Sequence, residues 1–558
     1  MFSWLLGLLV PVAAMARAVV GDSVHTLQDV DVVGVRIAQR MVIGGQRLDG
    51  EALRRLDGGS VADALRYFAG VQLKDYGGVG GIKTINIRSM GSQHVGIYYD
   101  GVELGNAQNG QIDLGQLSLD NIQEIAVYNG QRSTLLQPAS DFAHGGNVYI
   151  RTRQPHFSPG RATHLKAKVQ AGASGLLSLS TLWEQRLSDR LGLSLSAGWL
   201  SASGKYRFRY RRLTPDGSVA YDTTATRQNG DVRAERVELT LHGLLRQGFW
   251  TTKAYCYDSG RGIPGAIVNN VWRRGERQYD TNVFLQHRLQ KDFGDRFSTQ
   301  VLAKYAYYRT HYLDRDTTHL PVDNRYWQQE FYLSTSNSYQ LLPAWGVSMS
   351  YDLRWNKLNA DTFPTRLTHS AAVATALDLG PLRLQGSLAA MFVSDRVRRG
   401  TSAHLHEFMP AFFLNYYPFA SRAFSVHAFA KRSFRMPTFN DLYYAEMGNA
   451  RLRPESTNQY DVGINLEDTP DGRGWLRAYG LRMDAYYNTV ADKIIAYPKG
   501  QQFRWTMLNL GRVHIWGADV LLSTTLQLAP AWSATLRAQY TWQQARDVTS
   551  PSRTYYRH

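Results

Sequence analysis

At 558 residues the chain exceeds one ordinary soluble domain, although a large barrel can use most of that length as a single unit. A mean hydropathy of −0.34 with 44% hydrophobic residues excludes a bundle of membrane helices, and after the first twenty residues no apolar run spans a bilayer as a helix. The formal charge of +17 is scattered, so it reads as basic loops and barrel ends near lipid phosphates, with no nucleic-acid surface. Aromatic residues make up 12%, with 32 Tyr and 13 Trp, which suits membrane interfaces and extracellular binding sheets alike. The single cysteine, Cys256, forms no intramolecular disulfide and reads as a small packed residue on a strand.

The chain opens with an apolar stretch at 2–14 followed by Ala16-Arg17-Ala18, which fits an export signal over 1–18, although no Lys or Arg precedes it. A membrane anchor is the rival, but the run is short for a span. The β-prone stretch Asp29, Val30, Asp31, Val32, Val33, Gly34 falls in the next segment, 19–40. Residues 41–155 read as a small glycine-rich α/β domain. Ser60 caps a short helix opening at 61–65, and extended segments follow at 84–88, 95–99, 122–128 and 147–151. Long Gly-, Asn- and Gln-rich connections at 76–81, 101–116 and 130–146 are of the kind that is functional or mobile in a compact domain. Arg88 ends the apolar alternation of Ile85 and Ile87, so it is either paired and buried or an exposed strand end.

From about 161 to 558 the period changes to two. In 347–355 the apolar set Val347, Met349, Tyr351, Leu353 and Trp355 alternates with Ser348, Ser350, Asp352 and Arg354. A strand with one face in lipid and one in a wet interior has this pattern, though half-buried strands of soluble sandwiches share it. The connections decide. Tight turns alternate strictly with long polar ones such as 204–231, 259–277, 309–325, 433–456 and 490–506. Short periplasmic turns and long external loops are the mark of an outer-membrane barrel. The count is about seventeen strands. The last clear one runs outward with no closing aromatic strand, so the barrel is expected to be incomplete, about 22 strands being usual for larger transporters. Such a wall is expected to leave an open edge and to form no stable closed pore.

The motifs Val61-Ala62-Asp63-Ala64-Leu65, Gly70-Val71, Ile87-Arg88-Ser89-Met90-Gly91 and Tyr99-Asp100-Gly101-Val102, with 122–128 and Gly145-Gly146-Asn147-Val148-Tyr149-Ile150, resemble the plug of TonB-dependent outer-membrane receptors. Within the barrel, 434–444 (Phe-Arg-Met-Pro-Thr-Phe-Asn-Asp-Leu-Tyr-Tyr) and 448–455 (Gly-Asn-Ala-Arg-Leu-Arg-Pro-Glu) resemble that family's paired loop motifs. The nearest shape is the cobalamin and ferric-siderophore branch. The resemblance implies a transmembrane antiparallel β-barrel with the α/β plug inside it, in the outer membrane of a Gram-negative bacterium among lipid and lipopolysaccharide. It implies energy-coupled uptake of a metal chelate, with Asp29, Val30, Asp31, Val32 and Val33 pairing as an added strand with a TonB-type periplasmic transducer. The alternative for that segment is simply the plug's first strand.

Arg88, on the same resemblance, docks the plug against carboxylates of the wall. For ligand contact the candidates are the plug apices, Tyr76 in the first and Asn106, Gln108 and Asn109 in the second, which offer donors, acceptors and ring surface. Haem is disfavoured: 438–448 contains no histidine, leaving Tyr443 and Tyr444 as the available axial ligands. Asp314, Asp316 and Asp323 share a loop without the tight spacing of a calcium site, so no metal site, resident cofactor or catalytic constellation is expected. A passive porin or a surface adhesin with an occluding N-terminal domain is the rival function.

Overall fold

The computed structural model describes residues 41–557 except 57, 158–159, 266–274, 316–320, 445–446, 471–473, 499–504 and 551–552. The export signal at 1–18 and the segment at 19–40 lie outside the described residues.

The amino-terminal domain is built on a five-stranded sheet with the order Gln46–Asp49, Ile122–Tyr128, Gly146–Thr152, Val95–Tyr99, Val102–Glu103. Only the Val95–Tyr99 and Gly146–Thr152 pair is parallel. A second sheet pairs Val71–Asp75 with Lys83–Ile87. The helix Val61–Leu65 begins where Asp63 Oδ2 reaches back to accept from the Ser60 N–H (3.1 Å) and hydroxyl (2.8 Å). Its face Val61, Ala62, Ala64 and Leu65 is fully buried against Ile85, Ile97, Ile125 and Val148. A further short helix, Gly50–Arg55, has no counterpart in the sequence-based reading. Asp100, in the left-handed region (φ 51°), accepts from both the N–H and the hydroxyl of Thr152 at 2.8 Å. The Tyr99-Asp100-Gly101 motif therefore ties the domain's middle to its closing strand.

Around this domain eighteen strands among the described residues form the wall, from Thr163–Gly172 to Arg553–Arg557. Outward faces are apolar and inward faces polar, the inverse of a soluble protein. In Trp345–Leu358, Met349 and Tyr351 are 63% and 40% exposed while Ser350 and Asp352 are 5% and 2%. The strand Trp532–Ser550 also carries Trp532, Leu536, Tyr540 and Trp542 on its outward face, while its other face, with Thr535, Arg537 and Gln539, is exposed as well. Such a band fits hydrocarbon outside and a polar, filled interior.

Three expectations are corrected. The wall does not stop on an open edge: its order closes through Arg553–Arg557, which sits between Trp532–Ser550 and Thr163–Gly172 and is the strand missing from the expected seventeen. The 204–231 connection contains its own hairpin, Tyr206–Leu213 with Val219–Arg227, standing apart from the wall. Cys256 is not packed inside but exposed on the outward face, because it has the parity of the lipid side.

Candidate functional site

The domain is held to the wall by buried charge. Arg88 and Ser89 both take left-handed backbone (φ 50° and 57°), a turn that swings the Arg88 side chain off its strand. Its Nε donates to Asp519 Oδ2 (2.9 Å), its Nη1 to Asp461 Oδ2 (2.6 Å), and it lies 4.0 Å over the Tyr486 ring, 1% exposed. Burial works against this charge, but Asp461 and Asp519 override it and hold the guanidinium above its ordinary value. Gly70 (φ 77°) lies where a Cβ would stand 2.9 Å from Asp519 Oδ2, and its N–H donates to Thr541 Oγ1.

On another side Lys253 joins Asp100 (2.6 Å) to Glu238 (2.7 Å), and Tyr99 donates to the same Glu238 (2.6 Å). Glu103 pairs with His144 at 3.0 Å and with Arg354. Burial opposes its charge, yet Arg354 and His144 hold the carboxyl well below the usual carboxylate range. Asp141 is the contrary case. Burial pushes it up to about 7 despite Arg132 nearby and the Tyr149 hydroxyl that donates to it.

The paired loop motifs meet in space. Arg435 of the first bridges Asp441 and Glu455 at 2.5 Å each, and Glu455 of the second accepts from the Ile494 N–H (2.8 Å). His94 of the plug lies 2.8 Å from Glu455; its burial keeps the ring below its ordinary pKa against the pull of that carboxylate. The helix Phe439–Tyr443 starts with Thr438 and Asp441 capping each other. Phe439 and Asn440 N–H groups donate to the Ala107 and Gln108 carbonyls (2.8 and 3.0 Å), so this loop grips the second apex. Tyr443, weighed as a haem ligand, is buried and donates to Asp395 (2.8 Å).

Two cavities lie where the plug meets the external half of the wall. One, about 140 Å³, brings together Asn106, Gln108 and Asn109 with Arg261, Asp280 and Tyr308. The other, about 160 Å³, is lined by Glu103, His144, Asp352, Arg354 and Arg366 among others. Asn106 spends its amide on its own turn: Oδ1 accepts from the Gln108 and Asn109 N–H groups (3.1 and 3.2 Å), and Nδ2 donates to the Gln111 carbonyl. Asn109 is exposed, its Oδ1 accepting from Gln111. Tyr76 is 55% exposed on the first apex and lines neither cavity. Asp29, Val30, Asp31, Val32 and Val33 lie outside the described residues.

Among the described residues His427, Asp461 and Asp484 lie within 4.8 Å of one another, a spacing a metal could use. Both carboxylates already carry guanidinium partners, Arg88 and Arg482, so the group reads as an ion-pair network. The signal for the Arg435–Glu455 pair was present in the motif pair; Lys253, Glu238 and Glu103 had none, Glu238 being one of several charges in Val232–Leu245 and Glu103 the end of a two-residue strand.

Residues 43–140 match the family model described as the TonB-dependent Receptor Plug Domain, and 355–557 match TonB dependent receptor-like, beta-barrel, together more than half the chain. A Vitamin B12 transporter BtuB of Vibrio vulnificus is 23% identical over 478 residues, 84% of this chain and 70% of the relative. One from Photobacterium profundum is 24% identical, covering 84% and 71%. Among solved structures, the FrpB iron transporter from Neisseria meningitidis superposes with a TM-score of 0.71 at 11% identity, covering 90% of this chain and 81% of that one. The ferric citrate transporter FecA gives 0.69 at 13%, covering 91% and 79%. The copper transporter OprC gives 0.69 at 14%, covering 91% and 84%.

Proposed function

The chain belongs to the TonB-dependent receptors, outer-membrane proteins of nutrient uptake, and on that premise we propose that its cargo is a metal chelate of the cobalamin or ferric-siderophore kind. One observation carries the reading: a plug fills the barrel, fastened by buried ion pairs, beneath two external cavities lined with both signs of charge. A polar chelate offering carbonyls, amides or carboxylates finds partners there, at Gln108, Asn109 and Arg261 in the first cavity. The names of the BtuB relatives support a cobalamin-like cargo, and those of the structural neighbours an iron or copper one.

Energy arrives from the periplasm of a Gram-negative cell. Asp29–Val33 adds as a strand to a TonB-type transducer, whose grip comes from backbone hydrogen bonds. The pull reaches the plug through the residues that follow. There the Val42 N–H donates to the Ser133 carbonyl (3.1 Å) and the Gly44 carbonyl accepts from Arg482, which also holds Asp484. Asp484 neighbours the Asp461 that holds Arg88. Tension at the amino end thus loads the network that latches the plug, and Arg88 is the hold it must break.

The test is accumulation of labelled cobalamin and a panel of ferric siderophores in cells whose own receptors are deleted, with and without a protonophore. Accumulation of one chelate that collapses when the proton gradient is removed is expected. Accumulation indifferent to the gradient would point instead to a passive porin, and none at all to an adhesin.

A further inference from the structure

The two cavities are chemically unlike. Eight of the twenty residues lining the first are Asn or Gln: five from the plug between Asn106 and Gln116, and Gln278, Asn282 and Gln328 from the wall. Apolar surface comes from Leu104 and from Tyr255 and Phe284, whose rings stack at 4.6 Å. The charged groups of this lining are Arg261, Asp113 and Asp280. Arg261 donates to both carboxylates, through Nη1 to Asp113 (2.9 Å) and through Nη2 to Asp280 (2.7 Å), so the lining has one carboxylate more than it has cations. The second cavity carries more charge, but each of its guanidinium groups is also taken. Arg354 is held by Glu103, Arg366 by Asp395 (2.7 Å), and Arg435 by Asp441 and Glu455 (2.5 Å each). Among the described residues, neither cavity offers an unpaired guanidinium.

Single donors are left over in the first cavity instead. Gln328 Oε1 accepts from the Gln108 N–H (3.0 Å), which leaves its Nε2 buried without a partner. The Tyr308 hydroxyl and Arg261 Nε, in the same lining, are buried and unpartnered too. Buried donors without acceptors are costly, and a carbonyl oxygen brought by the cargo relieves that cost. A polyanion suits the site poorly: it gives up its water beside a surplus carboxylate, where the guanidinium is already committed. The side-chain amides both donate and accept, so they match amides and hydroxyls on an uncharged molecule.

We infer that the first cavity holds an uncharged, amide- or hydroxyl-bearing arm of the cargo, and that this receptor selects uncharged chelates over polyanionic ones. The inference rests on the chelate-uptake reading and narrows it. At about 140 Å³ the cavity has room for one arm and not for a whole chelate. Gln328 sets the preference, since its free amide donor greets a carbonyl and a carboxylate in its place would repel one.

The test titrates the whole purified protein in detergent, by calorimetry, with the uncharged chelates cyanocobalamin and ferrichrome and the anionic chelates ferric enterobactin and ferric citrate. One uncharged chelate is expected to bind about tenfold more tightly than either anionic one. Gln328→Glu keeps the acceptor for the Gln108 N–H and replaces the free donor with charge. It should weaken binding of the preferred chelate about tenfold at an unchanged unfolding midpoint. Asp280→Asn should free part of Arg261 and strengthen binding of the anionic chelates, a gain that added salt diminishes. Tighter binding of an anionic chelate by the parent would overturn the inference. So would a Gln328→Glu protein that binds the preferred chelate as the parent does, or a parent that binds none of these chelates. Gradient-dependent accumulation of an anionic chelate alone would sink this inference and leave the uptake reading standing. Binding of an uncharged chelate without gradient-dependent accumulation would do the reverse.

Discussion

Arg88 shows how one residue can carry a mechanism. Removing its charge leaves Asp461 and Asp519 facing each other in a buried site, so Arg88→Met should cost ~3–5 kcal/mol of plug stability. Denaturant unfolding of the detergent-solubilised protein would read this as a lower midpoint, and Asp519→Asn on the same background should recover part of it. Asp141 predicts a pH effect. Its carboxyl ionises near 3.8 when unfolded and near 7 in place, so the folded form holds an extra proton between those values. Stability from this group falls as pH rises from about 4 to 7 and is level above. Asp141→Asn should abolish that fall and be more stable than the parent at pH 8, read as thermal midpoints at pH 5 and 8. In the sequence, Arg88 is visible as a charge ending an apolar alternation. Its partners are not, because they come from strands 373 and 431 residues away and from a left-handed backbone that no propensity foretells.

Among the elements, the junction of 68–71 with 87–91 is a place where the plug packs tightly on the wall, at Asp519. Gly70→Ala forces a left-handed alanine and pushes Asp519 off Arg88, so a loss of ~1–2 kcal/mol from the backbone alone is expected in the same unfolding assay. The helix at 61–65 and the strands at 84–88, 95–99, 122–128 and 147–151 were legible to within two residues from capping and apolar period. The helix Gly50–Arg55 was not, since six residues give too little periodicity to separate it from a turn. The second apex was legible as a polar glycine-rich connection, but the role of Asn106 within it was not. An Asx turn uses the same amide that ligand binding would, and sequence cannot tell the two uses apart. The hairpin within 204–231 was hidden because its basic alternation, Arg207, Arg209, Arg211, looks like a solvated loop until the partner strand is placed opposite it.

For the molecule as a whole, the inverted wall is the feature most open to sequence, because lipid and water impose a period of two that no turn disguises. That period carries an energetic prediction. Met349→Arg on the outward face should cost ~2–4 kcal/mol in refolding into bilayers, while Ser348→Arg toward the interior end should cost less. The closing strand Arg553–Arg557 escaped the count because five residues carry barely two periods. The family's plug motifs and the wall belong to one machine only if force on the amino-terminal segment is what empties the cavities. The direct measurement deletes residues 29–34 and follows chelate binding at the surface and chelate accumulation inside cells together. Binding kept at the parent's affinity with accumulation reduced to background is the predicted result; accumulation that continues at the parent's rate would contradict the account.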